Sequence, residues 1–296
     1  MFRKIGFKVA LFVNLILLVV IIGGTAFLVV EQERTIESQF RERAKFISVI
    51  GAKAVGRVME EAIDNGVFTV EDAFDTDYVL IPGFDPPKFH TKYDSYTDKA
   101  FLTLQDEFLK DKNVLYAGAV DINGYIPTHN TRFQNPITGD KEKDRAGNRT
   151  KRVNNDPIGL KAAKNQEEGF LQVYKMDTGE TTWDTASPIY VKGKLWGNFR
   201  VGISLETLEK SISSLRITLG IVMLMILLIT TVIVFIVVNI TLKPLTEFTQ
   251  IASRMADGDV ENKIVSRSRD EIGELADVLE RMRISLKTAM DRLTRQ

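Results

Sequence analysis

The densest run of side chains able to do chemistry is residues 141–152, which hold Lys141, Lys143, Arg145, Arg149, Lys151 and Arg152. Asp140, Glu142 and Asp144 partly offset them. Arginine forks grip carboxylates and other anions through paired hydrogen bonds. The run therefore reads either as an anion clamp or as a solvated charged loop. His90 and His129 are the two histidines. With Asp94 or Asp121 they have the residue types of a metal site, but His129 reads better as a hydrogen-bonding or pocket-lining group. Tyr125, Trp183, Asp184 and Arg200 are further candidates to line a pocket. Trp183 and Trp196 read equally well as core packing. Asp184 stands on an apolar strand beside Trp183 and Ala186, and a buried acid needs a partner. Arg200 is one candidate, and that pairing makes the two residues structural rather than ligand-binding.

Much chemistry is excluded. The chain has no cysteine, so it makes no disulfide, thiolate metal site, iron–sulfur cluster or covalent c-type haem. Lys+Arg and Asp+Glu balance at 39 each, so no whole-chain charge points to nucleic acid. No nucleophile elbow, metal-ligand motif or recognisable triad occurs. The expectation is a protein that is not an enzyme, with no resident metal or cofactor.

The candidates fall between two apolar runs. Residues 9–30 and 217–240 carry no charge, and each exceeds the roughly 20 residues that cross about 30 Å of hydrocarbon. The first is too long for a signal-peptide core and runs straight into Glu31, so it reads as an uncleaved anchor. Asn14, Gly23, Gly24 and Thr25 within it are residue types that face other helices in membranes. Arg3, Lys4 and Lys8 precede it, which places the N-terminus in the cytoplasm. The expected order is residues 1–8 cytoplasmic, 9–30 spanning, 31–216 outside, 217–240 spanning and 241–296 inside. Arg216, on the outer flank, is expected to snorkel to the headgroups.

The outer segment reads as α+β. Ile36, Phe40, Ala44, Ile47, Ile50, Ala54, Val58 and Ala62 recur at helical spacing, so one long helix continues from the first span. Residues 68–94 are rich in Pro, Asp and aromatics and read as loop. A helix over 96–110 precedes a strand over 114–120. Asp121-Ile122-Asn123-Gly124 then supplies a hairpin turn, and residues 125–130 begin the return strand. After a polar insert over 131–168, strands are expected over 169–176, 181–190 and 194–203, separated by turns at 177–180 and 191–193. A helix over 206–215 leads into the second span. The whole is a long N-terminal helix behind an antiparallel sheet.

The tail shows two helical stretches. Leu245, Phe248, Ala252 and Met255 mark the first, with Pro244 near its start, where a missing N–H costs little. Ile272, Leu275, Leu279, Met282, Leu286, Ala289 and Leu293 alternate 3 and 4 apart in the second, an a/d seam of three heptads. Asp257-Gly258-Asp259 ends the first stretch, and Ser268 or Asp270 caps the second. Two such short helices bury little alone, so the seam calls for a second copy of the chain.

The run Leu242-Lys243-Pro244-Leu245, then Gly258, then Asp270-Glu271-Ile272-Gly273, resembles a HAMP domain, with Val260 and Ile264 at its two apolar connector positions. That resemblance covers 241–296 and implies a parallel homodimeric four-helix bundle. In it Pro244, Gly258, Val260, Ile264, Glu271 and Gly273 carry the signalling geometry. Residues 88–204 resemble single-Cache, PAS-like sensors of bacterial methyl-accepting chemotaxis receptors, on Asp121-Ile122-Asn123-Gly124-Tyr125-Ile126-Pro127-Thr128-His129-Asn130 and on 183–191 and 196–202. The family match of 148–152 makes Arg149 and Arg152 stronger clamp candidates than the lysines. Together the resemblances imply a transmembrane receptor of the inner cell membrane. It would bind a small molecule outside, an anion being one candidate, and relay the event through HAMP, without nucleic acid. HAMP domains normally feed an output domain, and the sequence ends at Gln296 without one. The expectation is either a truncated receptor or a regulatory subunit that partners a separate kinase, chemoreceptor or cyclase.

Overall fold

The computed structural model describes residues 5–176, 178–266 and 268–293. Arg3, Lys4, Asp177 and the Leu293 side chain, all used above, lie outside what is described. The chain forms two units. One is Val29–Arg216, and the other joins residues up to Leu28 with those from Ile217 onward.

The first unit is α+β. Helix α1 (Ile5–Asp64) enters it, followed by α2 (Val70–Ala73), β1 (Val79–Ile81), β2 (Lys88–His90), α3 (Asp94–Phe108), β3 (Val114–Asp121) and β4 (Tyr125–Ile126). Then come α4 (Lys141–Gly147), β5 (Arg152–Val153), α5 (Pro157–Ala163), β6 (Phe170–Lys175), β7 (Thr181–Val191), β8 (Lys194–Ser204) and the start of α6 (Leu205–Ala256). The main sheet has the antiparallel order β3-β8-β7-β6.

Strand alternation sorts the sheet's side chains onto two faces. Ala117, Ala119, Phe199, Val201 and Ile189 join Val55 and Met59 of α1 and Phe101 of α3 in the core. Tyr116, Gly118 and Val120 point the other way, and the cross-strand register puts Arg200 opposite Gly118 and Asp184 opposite Gly202 on that same face. The insert covers this second face: Phe133 and Met176 pack on Tyr116, and Ile126 and Ala163 pack on Val120.

Three expectations change. The buried stripe of α1 is Ala44, Ile47, Ser48, Ala52, Val55, Met59 and Ala62, displaced by about one position, and Ile50 is 41% exposed within the unit. Small residues win here because the helix lies close to the sheet: a Cβ on Gly51 would stand 2.2 Å from the Phe199 ring. Residues 68–94 are not all loop, since β1 and β2 pair as a two-stranded ladder. The third change concerns the return strand. The Asp121–Gly124 turn forms, with Gly124 N donating to Asp121 O at 3.0 Å, but β4 pairs with β5 and β8 takes the place beside β3. The other edge of β3 is blocked by side-chain amides, because Asn130 Oδ1 accepts from Ala117 N and Gln105 Oε1 accepts from Ala119 N, both at 2.8 Å. Those are donors that a return strand would have used.

In the second unit, the apolar windows of α1 and α6 are 6% and 0% buried. A soluble core helix would be covered, whereas surface of this length and composition suits hydrocarbon. Helix α7 (Glu271–Leu293) completes the unit. At the outer end of the second apolar run, Arg216 is paired with Glu33, both within the first unit.

Candidate functional site

The insert and the second face of the sheet enclose a cavity of about 30 Å³, walled by Tyr116, Val120, Ile126, His129, Arg149, Tyr174 and Arg200 among others. That is room for little more than a water. A cleft of about 600 Å³ among Ile5, Ala10, Phe235 and Leu242 gathers no buried charged group.

Behind the wall sits a buried ion pair. Arg200 Nη2 donates to Asp184 Oδ2 at 2.6 Å, and Arg200 Nε lies 3.2 and 3.1 Å from the two Asp184 oxygens. Asp184 also accepts from Tyr116 Oη at 2.8 Å and from Gln172 Nε2 at 2.7 Å. Burial opposes the Arg200 charge, but the Asp184 carboxylate outweighs it and holds the guanidinium firmly protonated. Burial and then the same carboxylate push the Tyr116 hydroxyl well up, so it stays a donor. Arg200 stacks over the Tyr174 ring at 5.1 Å.

His129 is 5% exposed. Its Nδ1 accepts from the backbone N–H of Asn130 at 2.8 Å, and its ring meets Phe133 edge-on at 4.8 Å. Burial, then the charges of Arg149, Arg200 and Arg152, hold its pKa well below the ordinary histidine range. The ring is therefore neutral, and a neutral imidazole that accepts at Nδ1 carries its proton on Nε2. Arg149 stacks on the other partner, Phe133, at 4.7 Å.

The structure brings His129, Arg149 and Arg200 to one cavity, with Asp184 directly behind. It does not bring the rest. Arg152 donates through Nη1 to Arg145 O at 2.7 Å and is not on the wall. Trp183 points to the opposite face, where Arg41 of α1 stacks over it at 4.8 Å; being odd-numbered next to Asp184, it faces away by strand alternation. Tyr125 lies in the core, where its one hydroxyl proton is shared between Asp94 Oδ2 at 2.8 Å and Phe89 O at 2.9 Å.

The expected clamp is likewise divided. Lys141 and Lys143 are exposed and pair with Asp85 and Asp140. Lys151 is buried against Asp94 at 2.9 Å. Its neighbour Lys88, which sequence reasoning passed over, donates to Asn148 Oδ1 at 2.6 Å and Thr150 O at 2.9 Å. Burial, then the Arg152 and Lys151 charges, lower its pKa to about 8. These cations lock the insert onto β2 and α3. His90 Nδ1 is 3.4 Å from Asp94 Oδ2, whereas His129 meets Tyr116 and Phe133. Among the described residues no three His, Cys, Asp or Glu side chains gather as a metal site.

In the second unit the tail has its own built site. Gly258 takes φ +93 and closes α6: Gly258 N donates to Met255 O at 3.1 Å and Asp259 N to Arg254 O at 3.0 Å. The connector then packs Val260 and Ile264 inward, at 4% and 5% exposure. Ile264 meets Phe248, Met255 and Ala276. Asp270 caps α7, accepting from Ile272 N at 3.0 Å and Gly273 N at 3.4 Å. Glycine at 273 is required because a Cβ there would stand 2.2 Å from Ser268 O. Glu271 is exposed in the first turn of α7.

Two further residues fix the connector. Glu280 Oε2 accepts from Ile264 N at 2.9 Å and Arg283 Nε at 2.8 Å, and Arg283 Nη1 donates to Val260 O at 2.6 Å. The Arg283 and Ile264 bonds hold the Glu280 carboxyl at about 2. Pro244 departs from its expected place: α6 runs unbroken through it, so it is interior, and the Ile240 carbonyl loses its usual donor.

Residues 236–288 match the HAMP domain family. A search of curated proteins gives no match. Among solved structures, the ligand-binding domain of the Campylobacter jejuni chemoreceptor Tlp3 in complex with 4-methylisoleucine is similar, at TM-score 0.34 and 11% identity over 70% of this chain and 64% of that one. The sensory domain of the same chemoreceptor with isoleucine bound gives 0.29 and 13% over 61% and 65%. An extracellular ligand binding receptor from Desulfohalobium retbaense gives 0.29 and 15% over 63% and 27%. This chain thus spans less than two thirds of the length of these structures.

Proposed function

We propose, from a HAMP domain at residues 236–288 that follows two membrane-length apolar helices, that the chain is a transmembrane receptor. Its α+β unit lies outside the cytoplasm of a bacterial inner membrane and binds a small molecule in the cavity under the insert. Its HAMP helices lie in the cytoplasm and relay the event as a change of packing. It acts by binding, not catalysis. The supporting observation is the joint presence of a HAMP unit and a polar, arginine-lined cavity in the sheet-bearing unit.

The relay works as a homodimer in this reading. Within one chain Leu275, Leu279 and Ala276 pack on the connector and α6, while Met282 and Leu286 of the same seam are 53% and 41% exposed. A second α7 would cover them. A separate cytoplasmic signalling protein, or a segment joined to α7, would receive the change.

The test is a thermal-shift screen of the full chain in lipid nanodiscs against organic acids, amines, amino acids and sugars. At least one compound is expected to raise the melting temperature in a saturable way. A screen in which none does would remove the small-molecule reading.

A further inference from the structure

The cleft of about 600 Å³ in the second unit lies where both apolar runs end. A Cβ on Gly6 would stand 3.5 Å from Val238 and 3.6 Å from Leu242, so the start of α1 lies beside this stretch of α6. Lys8 on one helix and Lys243 on the other are the first described charges past the two uncharged runs. They therefore mark the same end of the helix pair, and the cleft straddles it. Phe235 and Val238 line its apolar part, and Asn239, Lys243 and Thr249 line it one to three turns further along α6. A fitting occupant is apolar at one end and polar at the other.

Charge sets the sign of the polar end. Lys243 is the one charged residue on the lining among the described residues, and no acid shares it. Its Nζ is 3.9 Å from Glu247 Oε1, with both side chains more than half exposed. Such a pair contributes little and leaves the ammonium able to change partner. Thr246 and Thr249 already donate their hydroxyls to Lys243 O at 2.7 Å and Leu245 O at 2.8 Å. Lys243 and the exposed Asn239 are then the lining side chains that can donate. A free anion would leave the apolar part to water. A second copy docked through the same face would set Lys243 against itself.

We infer that the cleft holds an anionic phospholipid of the cytoplasmic leaflet. An acyl chain lies against Phe235 and Val238, and the phosphate accepts from Lys243 Nζ and Asn239 Nδ2. This rests on the membrane topology proposed above. The lining stretch of α6 is also the start of the HAMP match at 236–288, so the lipid sits on the joint between span and relay.

The test is native mass spectrometry of the full chain in neutral detergent, offered equal amounts of phosphatidylglycerol and phosphatidylcholine with the same acyl chains. Phosphatidylglycerol is expected to be retained over phosphatidylcholine by about fivefold, the scale of one lysine at an anionic surface. Lys243→Gln is expected to remove most of that preference and Lys243→Arg to keep it. Lys8→Gln removes the same charge away from the lining and is expected to leave most of it. Gly6→Leu fills the cleft without changing charge and is expected to lower retention of both lipids. If Gly6→Leu loses helicity by circular dichroism, Lys243→Glu decides instead, with the preference expected to reverse. Equal retention of the two lipids by the parent would overturn the inference. So would an undiminished preference in folded Lys243→Gln, or undiminished retention in folded Gly6→Leu. An equal loss in Lys8→Gln would mark a general surface attraction and overturn it too. Tail crosslinking that falls in Gly6→Leu, with no lipid retained by the parent, would give the cleft to a second copy. Each of these leaves the receptor reading standing, which fails separately if cysteine labelling shows the reverse topology.

Discussion

At the residue scale, the Asp184–Arg200 pair sets the character of the α+β unit's second face. Both partners are buried, so removing one strands the other's charge. Asp184→Ala is expected to cost about 3–5 kcal/mol in urea unfolding of the full chain's α+β unit. Gln172→Ala, which removes one of several bonds to Asp184, should cost about 1 kcal/mol. His129 makes a separate prediction. Its folded pKa lies well below the 6.5 of a free histidine, so below about pH 6.5 the unfolded chain takes up a proton that the folded chain refuses. The His129 contribution to stability is complete above that pH and declines by up to about 1.4 kcal/mol per unit as pH falls. His129→Gln should flatten this part of the stability curve, and an unchanged curve would argue against a neutral buried ring.

At the scale of elements, α7 has two jobs divided along one seam. Leu279 packs inside its own chain, while Leu286 stands largely uncovered. Leu286→Asp should therefore abolish crosslinking between tails through introduced cysteines and leave the connector docked. Leu279→Asp should disturb both. The connector has its own latch in Glu280 and Arg283. Glu280→Gln should speed proteolysis within residues 257–270 while α6 and α7 stay helical by circular dichroism. Because the Glu280 carboxyl is held at about 2, the wild-type latch contributes fully above the ordinary carboxylate range. It is lost as pH falls from there through about 2.

For the whole molecule, the charge pattern and the two apolar helices demand one topology in the reading proposed above. Since the chain has no cysteine, single introduced cysteines report it cleanly. A cysteine at Asn65 should react with a membrane-impermeant maleimide in intact cells. One at Ser285 should react only after permeabilisation. The reverse pattern would invert the proposed sensor and relay.

Periodicity and length made the elements legible in the sequence. Uncharged runs of membrane length, the heptads of α7 and the alternation of β6, β7 and β8 are local signals, and they marked both units and the HAMP match before any packing was known. The connector was legible for the same reason, since Gly258, Asp270 and Gly273 act on backbone within a few residues. Tertiary structure alone decided which candidates meet. Asn130 and Gln105 occupy the edge of β3 and send the return strand elsewhere, so Tyr125 joins the core and not the cavity. The alternation that turns Asp184 toward Arg200 turns Trp183 away from it. The cationic run 141–152 was visible as a cluster along the chain, but its members reach different surroundings, because they are spread over α4, the link that follows it and β5. Partners distant in sequence, such as Glu280 with Ile264 and Tyr116 with Asp184, carry no local signature, and only the folded chain joins them.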